Sequence, residues 1–168
     1  MIHKIKSLAQ AISAILIMNL LSCYTSIYQD DKHNKISQVR INSERISVEI
    51  ADSDEEISRG LMWRKTLDRD KGMLFIYPDN AVRYFWMKNT YIKLDMAFID
   101  ANHVIRTIHT ADRIGDEKTL YSSLVPVQYV LEVNAGWFKQ HNIGIGDTVY
   151  FDTMPSVHID TCRINQNN

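Results

Sequence analysis

Residues 95–109 read Asp95-Met96-Ala97-Phe98-Ile99-Asp100-Ala101-Asn102-His103-Val104-Ile105-Arg106-Thr107-Ile108-His109. Two apolar, β-branched runs flank a four-residue segment whose length and composition suit a tight hairpin loop, so 95–99 and 104–109 are expected to pair as strands. Working outward, 125–133 is β-branched and aromatic and reads as another strand. The stretches 73–77, closed by Pro78, and 83–88 are dense in aromatic and apolar residues without alternation, as in strands buried on both faces. Ile46, Val48 and Ile50 alternate with Arg45, Ser47 and Glu49, the period of a half-buried strand, which 39–41 can join across Asn42-Ser43-Glu44. Ser53 with Glu56 forms a capping-box pattern, and Ile57 and Leu61 stand one turn apart, which places a short helix over 54–60. Asn134 is expected to cap a second short helix reaching about His141, after which Gly144 and Gly146 turn the chain into a last strand over 148–151. Short, regularly spaced strands predict a mainly β, compact single domain, a sandwich or small barrel with two short helices.

The chain has 168 residues, 45% of them hydrophobic, and 2 Cys. A chain of this length buries roughly two thirds of its unfolded surface and needs no disulfide framework or structural metal. Its 19 Lys+Arg against 20 Asp+Glu give a formal net charge of −1, which supplies no basic footprint and argues against nucleic acid as a partner.

The N-terminus reads differently. Lys4 and Lys6 precede an apolar run over 8–21, broken only by Gln10, Ser13 and Asn19, with no acid before Asp30. That is the layout of a signal peptide over 1–22. A run of 14 residues is short for a ~30 Å hydrocarbon core. Leu20-Leu21-Ser22-Cys23 resembles the lipobox of bacterial lipoproteins, in which the cysteine is acylated, although Leu21 replaces the small or β-branched residue more usual there. Tyr24, where an Asp would resemble an inner-membrane retention signal, favours the outer membrane. The expectation is an exported, lipid-anchored protein of the bacterial cell envelope: a lipidated flexible tether over 23–37, a β-rich domain over 38–153 and a frayed tail over 154–168.

Common catalytic signatures are missing: no Gly-x-Ser-x-Gly, His-Glu-x-x-His, phosphate-binding glycine loop or Cys-x-x-Cys. His103 and His109, six residues apart along a strand, would lie ~20 Å apart, whereas zinc ligands sit within ~2.1 Å of one ion. No metal and no cofactor is expected. Two segments carry more polar chemistry than a scaffold needs: Arg59-Gly60-Leu61-Met62-Trp63-Arg64 and Phe85-Trp86-Met87-Lys88-Asn89-Thr90. With Asp95 they supply the candidate ligand-binding residues Arg59, Trp63, Arg64, Trp86, Lys88, Asn89, Thr90 and Asp95. Aromatic walls beside an Arg and a Lys suit a small anionic or sugar-like ligand.

Those two segments, together with Gly72-Met73-Leu74-Phe75, Leu94-Asp95, Phe98-Ile99-Asp100, Tyr129-Val130-Leu131-Glu132, Ala135-Gly136 and Gly144-Ile145-x-Gly-Asp147, resemble the domain-of-unknown-function 192 family over about 38–152. The resemblance implies a compact β-rich domain, often exported in bacteria, with no agreed reaction or cofactor. Lys93 departs from the pattern, which usually has Pro before the Leu-Asp pair. Three functional readings follow. The first is a non-catalytic, lipid-anchored envelope protein that binds a small ligand or an envelope protein. The second is a hydrolase of an envelope substrate, with Asp95 as acid or base and Lys88 or Arg64 stabilising developing negative charge. The third is a structural domain whose polar motif residues form a buried network.

If Cys23 is acylated, Cys23→Ser releases the protein from the membrane fraction, because acyl-chain burial is worth about 0.8 kcal/mol per CH₂. Detergent-phase partitioning measures this, and an unchanged partition would mean a retained helix.

Overall fold

On the strand Glu44–Ala51 (β2), Ile46, Val48 and Ile50 are buried and point to one side, so the alternation in the sequence is the alternation of the sheet. The computed structural model describes residues 36–152. The signal, Cys23, nearly all of the tether, the tail and Cys162 lie outside them. The described elements are β1 (Ile36–Ile41), β2, α1 (Asp54–Arg59), β3 (Lys71–Ala81), β4 (Tyr84–Phe85), β5 (Leu94–Ile99), β6 (Ile105–Ala111), β7 (Tyr121–Ser122), β8 (Val127–Asn134), α2 (Trp137–Gln140) and β9 (Val149–Phe151). The fold is mainly β.

Seven strands form one sheet in the order β6-β5-β8-β3-β2-β1-β9. All the strand pairs are antiparallel except β2 and β3, which run parallel and are joined by the crossover that contains α1. The sheet curls until its two edge strands meet at one point. Val104 bridges Thr148, and the Ile105 amide donates to the Asp147 carbonyl at 3.0 Å. The inside of this curl is filled from every strand, with Val39, Val48, Leu74, Ile99, Leu131 and Phe138 among its buried residues.

The three central strands are apolar on their outer faces as well. Met73 and Phe75 of β3, Met96 and Phe98 of β5 and Val130 of β8 form a second buried cluster. It is covered by three excursions of the chain: α1 with the turn after it, the segment 82–93, and the segment 112–126. These are stitched to one another through the backbone, Trp63 to Asn89, Met87 to Asp116, Gly115 to Thr90 and Ser123 to Arg83. Segment 83–88 is therefore not a strand of the main sheet. Only Tyr84 and Phe85 pair, with Tyr121 and Ser122, as a separate two-stranded ribbon. Phe85 turns inward and meets Phe75 and Phe98 edge to face, at ring centroids 5.0 and 5.7 Å apart.

Two boundaries also differ from expectation. β3 continues past Pro78 because the β3–β8 register shifts between Ile76 and Ala81, an irregularity that tolerates a residue without an N–H. The second helix starts at Trp137. Asn134 ends β8 instead, its side-chain amide donating to the Leu67 and Asp68 carbonyls.

Gly72 is required by close approach: a Cβ there would lie 2.5 Å from the Glu132 carbonyl oxygen of the neighbouring strand. Gly72→Ala is expected to cost about 1–3 kcal/mol by forcing β3 away from β8. Urea unfolding should show this as a lower midpoint at an unchanged m value.

Candidate functional site

The outer face carries a row of residues in register across five strands: Glu49, Met73, Glu132, Met96 and His109. Each is handled differently. Glu49 holds Arg64 in a two-pronged ion pair, Nη1 to Oε1 and Nη2 to Oε2, the latter at 2.6 Å. The hydrogen bond to Glu49 raises the Arg64 pKa further, against the opposing effect of burial. Arg64 thus pins the turn after α1 to the sheet. His109 places Nε2 at 2.8 Å from the Ser122 carbonyl and meets the rings of Phe98 and Tyr121, which ties the ribbon down. Glu132, 4% exposed between Met73 and Met96, has no cation or donor offsetting its burial, which pushes its pKa up to about 8. Sequence reasoning passed over Glu132 as a site residue. Its signal was a lone acid inside the apolar run Val130-Leu131-Glu132-Val133.

The eight expected site residues separate into two groups. Trp63, Trp86, Lys88 and Asn89 come together at the surface of the covering layer. The Trp63 amide donates to the Asn89 carbonyl at 2.6 Å, and Lys88 Nζ lies 5.1 Å from the Trp86 ring centroid. Trp63 is 59% exposed and Trp86 43%. Both partners of the Trp63–Asn89 bond are left-handed, with φ of 63° and 53°. Asn tolerates that conformation, but for a bulky Trp it is an outlier.

The other group is occupied structurally or stands apart. Arg64 is bound to Glu49. Thr90 is buried, its hydroxyl donating to the Lys88 carbonyl at 3.2 Å, and it holds the turn. Arg59 is exposed at the end of α1, 4.0 Å from Glu55. Asp95 is the correction. It shares the inner face with Ala97 and Val133, so the sheet itself separates it from Arg64 and Lys88. Its Oδ1 accepts from the Thr110 hydroxyl at 2.7 Å, and Oδ2 accepts from the amides of Gly136 (2.8 Å) and Phe138 (3.4 Å). Asp95 caps the start of α2 and is 2% exposed, a poor position for an acid or base that must meet a substrate.

A shallow depression of about 330 Å³ lies beside Asn80, Asp100, Asn102, Arg106 and Pro126. Burial works against the Asp100 carboxylate there, but the amides of Val104 and Asn102 and the Arg106 side chain bond it and lower its pKa. That makes Asp100 a turn staple. Among the described residues no three His, Cys, Asp or Glu side chains converge as metal ligands.

Residues 37–151 match the model of the DUF192 family, described as an uncharacterized ACR. Among solved structures, the chain is similar to a "putative transcription regulator" from Sinorhizobium meliloti 1021, at 35% identity and a TM-score of 0.67, over 72% of this chain and 97% of that one. It is also similar to a protein of unknown function from Novosphingobium aromaticivorans DSM 12444, at 30% identity and a TM-score of 0.66, over 73% of this chain and 89% of that one. No curated protein matches it.

The folded state keeps on Glu132 a proton that the unfolded chain releases above its ordinary pKa of 4.5. This contribution is full below pH 4.5 and is lost as pH rises to about 8, with a slope approaching ~1.4 kcal/mol per pH unit. Urea titrations across that window should show the decline in wild type and its flattening in Glu132→Gln. In the same assay Arg64→Ala, which strands Glu49, should cost about 1–3 kcal/mol, and Lys88→Ala less than about 0.5 kcal/mol.

Proposed function

The chain belongs to the DUF192 family, and from that premise we propose that it is a lipid-anchored envelope protein whose β-domain binds a small anionic or sugar-like ligand without transforming it. The carrying observation is the surface cluster of Trp63, Trp86, Lys88 and Asn89. Two exposed indoles offer flat apolar faces, Lys88 offers an ammonium beside one of them, and Asn89 adds an amide. Rings that stack and polar groups that direct are the two requirements for holding a sugar or a small anion. The left-handed Trp63 supports the reading, since strain on a bulky exposed residue has no packing purpose and gathers where a surface is shaped for a ligand.

A binding role also suits the acids. Asp95 is engaged in capping α2 and Glu49 in holding Arg64, so neither is left as an accessible general base beside Lys88. The name of the Sinorhizobium protein points to transcription, but the formal net charge of −1 here offers no basic face to nucleic acid.

Titration of the intrinsic tryptophan emission with galacturonate oligomers, N-acetylglucosamine oligomers and inorganic phosphate tests the reading. At least one of these probes is expected to shift the emission saturably. Trp63→Ala and Lys88→Ala should each weaken it about tenfold or more while leaving the melting temperature in place. A flat response to all three probes, or wild-type affinity in both variants, would overturn the proposal.

A further inference from the structure

We infer that the outward face of the β4–β7 ribbon docks on the bilayer to which the chain is anchored, an inference that rests on the lipid-anchored reading above. The ribbon alternates: Phe85 and Tyr121 turn in, whereas Tyr84, Trp86, Leu120 and Leu124 turn out and are 63%, 43%, 59% and 72% exposed. Apolar side chains of this size, contiguous on one ribbon, mark an interaction surface. Leu124 is the decisive member. Its φ is 62°, a left-handed backbone that a leucine adopts only under constraint.

The constraint is built from hydrogen bonds around a buried serine. Ser123, 0% exposed, accepts from the Arg83 amide at 3.0 Å, donates its hydroxyl to the Val125 carbonyl at 2.6 Å and its own amide to the Arg83 carbonyl at 2.9 Å. The Ser122 hydroxyl accepts from the Leu124 amide at 3.1 Å. Together they hold a leucine at the end of the ribbon with most of its side chain exposed, which is the geometry of an insertion residue. Trp and Tyr beside it suit the headgroup level.

The occupant follows from the tether. Its 15 residues, 23–37, reach at most about 50 Å, so a chain acylated at Cys23 keeps this domain within reach of one bilayer and at high effective concentration there. Charge adds little. Asp112, Asp116 and Glu117 offset Arg113, Lys118 and Lys88, the last of which lies 5.1 Å from the Trp86 ring, so docking is apolar and insensitive to salt.

The acylated mature chain, from Cys23 onward, is floated with phosphatidylcholine vesicles whose acyl chains carry bromine, in about 0.5 M salt, which screens charge beyond a few ångströms. Quenching is expected of the emission component that Trp86→Phe removes. Leu124→Asn, polar and at home in left-handed backbone, should abolish that quenching while melting at or above the wild-type temperature. A chain that fails to float removes the anchor and this inference with it. One that floats unquenched overturns the docking alone and leaves ligand binding at Trp63 and Lys88 to its own test. Quenching that survives in Leu124→Asn, or a Leu124→Asn chain that melts well below wild type, also overturns the docking, the latter by assigning Leu124 to packing.

Discussion

Leu74 and Leu131 fill the inside of the curl, while Phe75 and Val130, one residue along the same strands, lie just as deeply buried on the outside. The central strands therefore have no face that can be left to water. At ~25 cal/mol per Å² of apolar surface, the Phe75, Phe98 and Met96 side chains exposed together would cost several kcal/mol, and some second layer has to cover them. The chain builds that layer mostly from connections instead of long helices: one six-residue helix, its following turn and two loops bonded to each other. The exposed indoles and Leu124 are carried on this covering layer, whose own inward residues, Leu61, Phe85, Met87 and Ile92, do the covering.

Three acids in the sheet show how position decides a carboxyl's fate. Asp95 faces inward and is satisfied by a hydroxyl and two amides at the start of α2. Glu49 faces outward at the flank, where Arg64 can reach it from the turn after α1. Glu132 shares that outward row but sits between two methionines, where no cation reaches, and its neutral form is favoured because a buried, unpaired charge is costly. Burial also raises the Tyr77 pKa to about 12, with Arg83 lowering it in part and Glu132 adding to the rise.

Much of this was legible in the residues. The period-two run of β2, the hairpin of β5 and β6 around Asp100, and the capping box of Ser53 with Glu56 are local signals, and the structure forms each of them. The two-stranded ribbon was not legible, because two residues carry no periodicity and its partner at Tyr121–Ser122 lies 37 positions from Tyr84. Nor was the parallel pairing of β2 with β3, which depends on a crossover and not on adjacency. Asp95 shares a motif with Arg64 and Lys88, and nothing in the motif itself says that the sheet parts them. Alternation alone fixes that Asp95 and Met96 face opposite ways, and only the assembled sheet says which side each side faces.

Left-handed backbone at residues other than glycine separates structural from exposed roles more sharply than burial does. His103, with φ of 64°, has an evident return: its ring meets Tyr129 and Phe151 at centroid distances of 5.3 and 4.7 Å, and its carbonyl accepts from Val149 where the sheet edges join. Asn42 closes the β1–β2 turn, a position that suits Asn. Trp63 and Leu124 have no such return in their side chains, which stand in water at 59% and 72% exposure. Each costs on the order of 1–2 kcal/mol as an L-residue in that region, and glycine or asparagine would fit both turns with less strain. What the large side chains add is exposed apolar area on the covering layer, in place of the packing that His103 gains from the same backbone.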